Sequence, residues 1–160
     1  MISKEDLHGV WQLESWTIGY SDRDAFTYPF GEEPQGLLLY SPAGWMSASI
    51  SAAQRAALPD GVSLRQLPAA KRAAAFSSYF HYAGRYRVVD GDVVHYVTQS
   101  LNPNFVGTQQ LRHAELDGQT LVLSGKDQVG EVIRFHSLVW HRIDPEQAEV
   151  EGTQVVIEDG

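Results

Sequence analysis

Through most of the chain, apolar and polar positions alternate in short runs broken by turn chemistry, the pattern of half-buried strands. Residues 9–20 are rich in Trp, Val, Ile and Thr, which suit a pleated surface with one covered face. Residues 35–40 and 45–50 follow as two shorter strands. Ser41-Pro42-Ala43-Gly44 joins them, with proline and glycine where a tight turn accepts them. Residues 85–89 and 93–99 flank Asp90-Gly91-Asp92, and residues 108–116 and 120–124 flank Asp117-Gly118; Asp-Gly between such runs is a strong local hairpin signal. Residues 131–142 make a long last strand. The pattern therefore predicts eight strands, mostly in up-and-down order.

Between Ser51 and Tyr82 the alternation stops and alanines accumulate. Pro68 fits the first turn of a helix, where its missing N–H is harmless, and that helix is expected to run to about Phe80. Ala69, Ala73, Phe76 and Phe80 share one apolar face at three- and four-residue spacing. A weaker helical piece is expected over residues 52–58. The third and fourth predicted strands are thus joined by a helical excursion, long enough to serve as a cover for a barrel mouth.

Many short antiparallel strands with one helical segment predict an all-β fold. An eight-stranded antiparallel up-and-down barrel is favoured because closure removes exposed sheet edges, and eight strands enclose room for one small ligand. A sandwich is the rival that strand count alone leaves open.

Composition fits one globular domain: 43% of the 160 residues are hydrophobic and 20% charged. With no cysteine, disulfides, thiolate nucleophiles and thiolate metal sites are excluded. The opening residues carry acids where a signal peptide needs an apolar run, and no stretch is apolar for long enough to span a bilayer; a cytoplasmic protein is expected. The net charge of −8 argues against nucleic acid or another polyanion as partner. Six acids and no base fall between Asp144 and Gly160, so residues 1–143 carry only −2. The chain is expected to divide into a barrel over residues 1–143 and an acidic C-terminal extension over 144–160, within which 153–157 could add a short strand.

Two local features gain meaning together. Gly9-Val10-Trp11 opens the first strand, and Val139-Trp140-His141-Arg142 closes the last. This resembles the Gly-x-Trp of lipocalins, whose final-strand arginine packs across that tryptophan at the closed end of the barrel. Tyr28-Pro29-Phe30-Gly31, Gly36 to Tyr40, Gly44-Trp45-Met46-Ser47, Tyr82-Ala83-Gly84-Arg85-Tyr86, His95 and residues 100–112 follow in an order similar to the lipocalin-like domain family of small bacterial and fungal proteins. The resemblance covers about residues 7–142. It implies a small cytoplasmic barrel that either binds a ligand or acts as a cofactor-free cyclase or isomerase on a hydrophobic intermediate of secondary metabolism or catabolism. Two positions depart from the usual pattern: Tyr96 stands where a second histidine or other polar group is common, and Gln99 where an acid is common.

Alternation puts His95 and Gln99 on one face of their strand, Gln110 and Arg112 on one face of the next, and Tyr86 opposite Arg85 and Arg87. With the motif positions of the resemblance set inward, Tyr86, His95, Gln99, Gln110 and Arg112 are expected to face the interior. A histidine there can exchange a proton near neutral pH, and an arginine can hold a carboxylate or enolate with two parallel hydrogen bonds. His95, Arg112 and Tyr86 are the candidate catalytic or polar-recognition groups. Tyr40, Trp45, Ser47, Phe76, Tyr82, Gln99, Phe105 and Gln110 are candidate ligand contacts. The same residues also suit a filled core, with His95 satisfied by neighbours and Arg112 acting as a structural bridge.

No metal or other cofactor is expected, because metal-ligand spacings, a Gly-x-Ser-x-Gly elbow, a phosphate loop and a dinucleotide fingerprint are all missing from the sequence. The leading expectation is a protein that binds a small hydrophobic or amphipathic organic molecule inside the barrel. The alternatives are a cofactor-free isomerase or cyclase working by acid–base catalysis, and a partner-binding barrel with a filled core. No membrane partner is expected, and a homodimer is compatible with the sequence.

Overall fold

The computed structural model describes residues 1–144. Nine antiparallel strands lie in these residues: β1 (Gly9–Tyr20), β2 (Arg23–Thr27), β3 (Gln35–Tyr40), β4 (Trp45–Ser51), β5 (Tyr79–Val89), β6 (Asp92–Ser100), β7 (Gln109–Asp117), β8 (Thr120–Val129) and β9 (Val132–Arg142). Eight of them, β1 and β3 to β9, pair in sequence order, and β1 pairs with β9 from Trp11↔Arg142 to Tyr20↔Arg134. That last pairing closes the sheet into a barrel, which excludes the sandwich. β2 folds back on the far half of β1 as a ninth strand, pairing over Ile18–Tyr20 only.

The extra strand leaves the expected eight-stranded barrel intact and corrects the place of the helical insertion. All five residues of β2 are exposed, so it carries no apolar alternation to read. Counting it moves the helical insertion to a place after the fourth strand rather than between the third and fourth. Within that insertion, helix α2 (Ala69–Ser77) starts directly after Pro68, whereas residues 52–58 form no helix and a single 3-10 turn spans Leu64–Gln66. Phe80 leaves the helix and belongs to β5, six residues ahead of the predicted strand start, because Tyr79-Phe80-His81-Tyr82 packs as a pleated aromatic run against β4. The acidic extension beyond residue 144, with its expected strand, lies outside the described residues. Among the described residues no helix is long and apolar enough to cross a membrane.

Both predicted hairpins form, the first turning on Asp90-Gly91 and the second on Gly118-Gln119, with Asp117 still paired to Thr120 in the sheet. Asp90 and Gly91 both take positive φ (53° and 86°), the backbone a two-residue hairpin needs. The core fills one end of the barrel. Helix α1 (Lys4–Leu7), held by a reciprocal Ser3–Asp6 capping box, inserts the fully buried Leu7 there. Trp11 is fully buried beside it, and its indole N–H donates to the Leu7 carbonyl at 2.9 Å. The Arg142 guanidinium lies 4.1 Å from the Trp11 ring centroid and donates to the carbonyls of His8 and Asp6. Cation, ring and chain terminus thus seal this end. The opposite end stays open.

Candidate functional site

Inward-facing side chains above the sealed end line a cavity of about 450 Å³. Its walls are mostly apolar: Trp16 and Ile18 from β1, Leu38 from β3, Ala48 and Ile50 from β4, and Leu123, Leu138 and Trp140 from β8 and β9. An aromatic collar borders it. Trp16 meets Phe30 edge-on at 5.1 Å, and Phe80 meets Tyr82 at 5.2 Å and Phe105 at 6.0 Å. Phe105 arrives on a 3-10 turn (Pro103–Phe105) whose start is fixed by the Asn102 side chain accepting from the Asn104 N–H. Pro29 lines the mouth from the loop after β2. No residue of the 52–78 excursion does so, and the expected role of its helix as a cover is corrected accordingly: α2 buries none of its side chains and lies outside the barrel.

One pole of this cavity is polar. His95, only 2% exposed, holds both ring nitrogens in short hydrogen bonds: Nε2 to the Tyr40 hydroxyl and Nδ1 to the Tyr82 hydroxyl, each 2.6 Å. Burial, with a smaller push from Arg112, drives its protonation down to about 3, so the ring is neutral at ordinary pH. Burial also raises both tyrosines, Tyr40 well above its ordinary value, and both remain protonated. Arg112 reaches in from β7 next to Tyr82, whose ionisation it pulls back down against the effect of burial. Its Nη1 donates to the Leu111 carbonyl. Gln110 lines the cavity one inward position before it and donates to the Thr108 hydroxyl.

Arg112 packs its guanidinium closely over Gly125. A Cβ there would lie 2.8 Å from Arg112 Nη1 and 3.4 Å from its Cδ. β7 pairs with β8 only from His113↔Ser124 onward, and the guanidinium occupies the opening between the strands where the pairing ends.

A second polar group lines the cavity from β1, β8 and β9. The Trp16 indole N–H donates to His136 Nδ1 at 3.2 Å, which leaves the histidine proton on Nε2. That nitrogen lies 3.2 Å from Asp127 Oδ2, off the line of a good hydrogen bond. Burial holds His136 below its ordinary value against the pull of Asp127. Asp127 is bound by Arg134 through both carboxylate oxygens, at 2.7 and 2.5 Å, and this pairing lowers its pKa. Its charge is therefore already matched within the protein.

Of the residues singled out from sequence, His95, Arg112, Tyr82, Phe105 and Gln110 line the cavity, and Tyr40 touches it through His95. Five others lie elsewhere. Tyr86 faces inward but sits toward the sealed end, its hydroxyl donating to the Ser41 carbonyl at 2.8 Å. Trp45, 50% exposed, stacks under Arg85 on the outer face, and Ser47 shares that face of β4. Phe76 is exposed on α2. Gln99 points outward because the β5–β6 register slips between Ala83↔Gln99 and Gly84↔Val97, leaving Thr98 as an extra residue. Gly84 permits that bulge: a Cβ there would come within 1.9 Å of the Tyr96 carbonyl oxygen.

Sequence reading missed Trp16, His136, Asp127 and Arg134. For Trp16 the cause is another bulge. β1 slips against β9 between Leu13 and Ser15, so Trp11 and Leu13 face inward on odd positions and Trp16 and Ile18 on even ones. His136 and Arg134 lie on the inward face that alternation from Trp140 would have indicated.

A model of the lipocalin-like domain matches residues 8–143. The chain belongs to the lipocalin-like domain family. No curated protein matches it. In this lipocalin-like chain the match runs across every strand of the barrel.

Proposed function

We propose that this lipocalin-like barrel binds one small amphipathic organic molecule, apolar body against Trp16, Ile50 and Leu123, polar end against Tyr82 and Arg112. One observation carries this reading: an arginine without a carboxylate partner among the described residues lines an otherwise largely apolar cavity. The nearest acid in the lining, Asp127, is committed to Arg134. A cation so placed adds nothing to a filled core, since desolvation penalises it unless a partner arrives. An apolar pocket with a few convergent polar groups is the usual build of a small-molecule site.

His95 favours binding over the acid–base alternative. Both of its nitrogens are engaged, and its protonation lies far below the working pH, so it is poorly placed to exchange a proton with a ligand. Its role in this reading is to orient Tyr82.

The test is native mass spectrometry of the chain mixed with a panel of small amphipathic carbonyl and carboxylate compounds. One saturable adduct per chain, lost in Arg112→Met, is the expected result. No adduct across the panel, or adducts indifferent to Arg112→Met, would overturn it.

A further inference from the structure

The direction of the hydrogen bonds around His95 determines what its tyrosine offers the cavity. A neutral imidazole has one N–H and one lone pair, so one of the two tyrosines donates to it and the other accepts. Tyr40 is 2% exposed, does not line the cavity, and has His95 Nε2 as its one hydroxyl partner among the described residues. If Nε2 carried the proton, the Tyr40 O–H would be a buried donor with nothing to accept it, a costly arrangement. Tyr40 therefore donates to Nε2. The ring proton sits on Nδ1 and is given to the Tyr82 oxygen, and the Tyr82 O–H is left to donate into the cavity.

Beside that donor stands Arg112, with a fixed positive charge and further N–H groups beyond the one spent on Leu111. The other charged and titratable groups around the cavity do not cancel this. Lys126 adds a second cation at the rim, Asp127 and Arg134 neutralise each other, and His136 is neutral. A protein with a net charge of −8 thus lines its cavity with three bases and one acid.

We propose that the Tyr82–Arg112 pole is an oxyanion receptor: the ligand's polar end is a carboxylate, phenolate or enolate, and the barrel binds it in the deprotonated form. Tyr40 and His95 are positioning residues that aim the Tyr82 proton, and the guanidinium packs over Gly125. The proposal rests on the binding reading above and narrows it to one ligand class. A pole of this kind also stabilises an enolate formed from a bound ketone, because fixed donors in an apolar site are strongest where negative charge develops.

The experiment uses two probes. N-phenyl-1-naphthylamine, neutral and fluorescent in apolar surroundings, reports whether the cavity binds at all. 4-Nitrophenol, whose phenolate absorbs in the visible, is titrated with base in the presence of saturating protein. The expected result is that phenolate binds at least about tenfold more tightly than phenol, read as an apparent pKa lowered by about one unit or more. Arg112→Met and Tyr82→Phe should each return that pKa toward its free value while naphthylamine binding persists; Arg112→Lys, which keeps the charge, should retain part of the shift. Naphthylamine binding with an unshifted or raised nitrophenol pKa would overturn the oxyanion receptor and leave the binding reading standing. If neither probe binds, both fall.

Discussion

The two ends of the barrel use similar residues to opposite effect. At the sealed end Trp11 from β1 lies under Arg142 from β9, and the indole N–H and both terminal guanidinium nitrogens are turned to the backbone, at Leu7, His8 and Asp6. At the open end Trp16 from the same strand meets His136 from β9, and the polar atoms turn to other side chains around a cavity. Backbone carbonyls do not titrate and do not move without unfolding, so the first arrangement is a staple. Side-chain relays titrate and leave donors unspent. The lesson is that residue type does not separate structure from site here; the partner does.

Four variants press on this contrast, from the largest effect to the smallest. Trp11→Ala removes a fully buried ring and should cost about 3–5 kcal/mol in chemical denaturation, unfolding sealed end and cavity together. A similar loss from Trp16→Ala would erase the distinction between the ends, since Trp16 is only half-buried.

The second concerns acid. His95 is neutral when folded, with protonation pushed to about 3, whereas in the unfolded chain it takes up a proton near 6.5. The unfolded state therefore binds more protons between these values. Stability from this group is complete above about pH 6.5 and is lost as pH falls toward 3, by an amount on the order of a few kcal/mol. Asp127, whose pKa is lowered by Arg134, loses its contribution in the same direction at lower pH. His95→Gln should flatten the upper part of that acid slope in urea titrations at stepped pH. A slope unchanged by the substitution would mean that His95 is not held as described.

Tyr40→Phe comes third. It strands His95 Nε2 in a sealed wall and should cost about 1–3 kcal/mol, measured by denaturant midpoint. Arg112→Met is fourth for stability, within about 1 kcal/mol of the parent and of either sign, because it removes a cation that has no carboxylate partner. It should nevertheless have the largest effect of the four on binding. Loss of more than a few kcal/mol would make Arg112 a structural bridge after all.

How much of this was readable from sequence depends on bulges. Where β6 and β7 run without one, alternation together with the motif positions of the resemblance carried His95, Gln110 and Arg112 to the interior, which is where they lie. One extra residue at Thr98 turned Gln99 outward, and another at Glu14 hid Trp16, because a shift of one residue moves every later side chain to the other face. Bulges depend on the fit between neighbouring strands, which no single strand's pattern reveals. The hairpins were legible because Asp90-Gly91 demands a specific backbone. β2 was not, since a strand exposed along its whole length has no buried face to announce it. The Asp127–Arg134 pair was equally hidden: it joins residues of two strands through a register that only the folded sheet supplies.

The central claim is that the interior of the barrel holds one small organic molecule. The most direct test is the stoichiometry of N-phenyl-1-naphthylamine binding by fluorescence titration, in the parent chain and in Ala48→Trp, which places an indole where a methyl group now lines the cavity. One probe per parent chain, and none in an Ala48→Trp protein that still unfolds cooperatively, is the predicted result. Equal binding by the two proteins, or no saturable binding by the parent, would contradict the account.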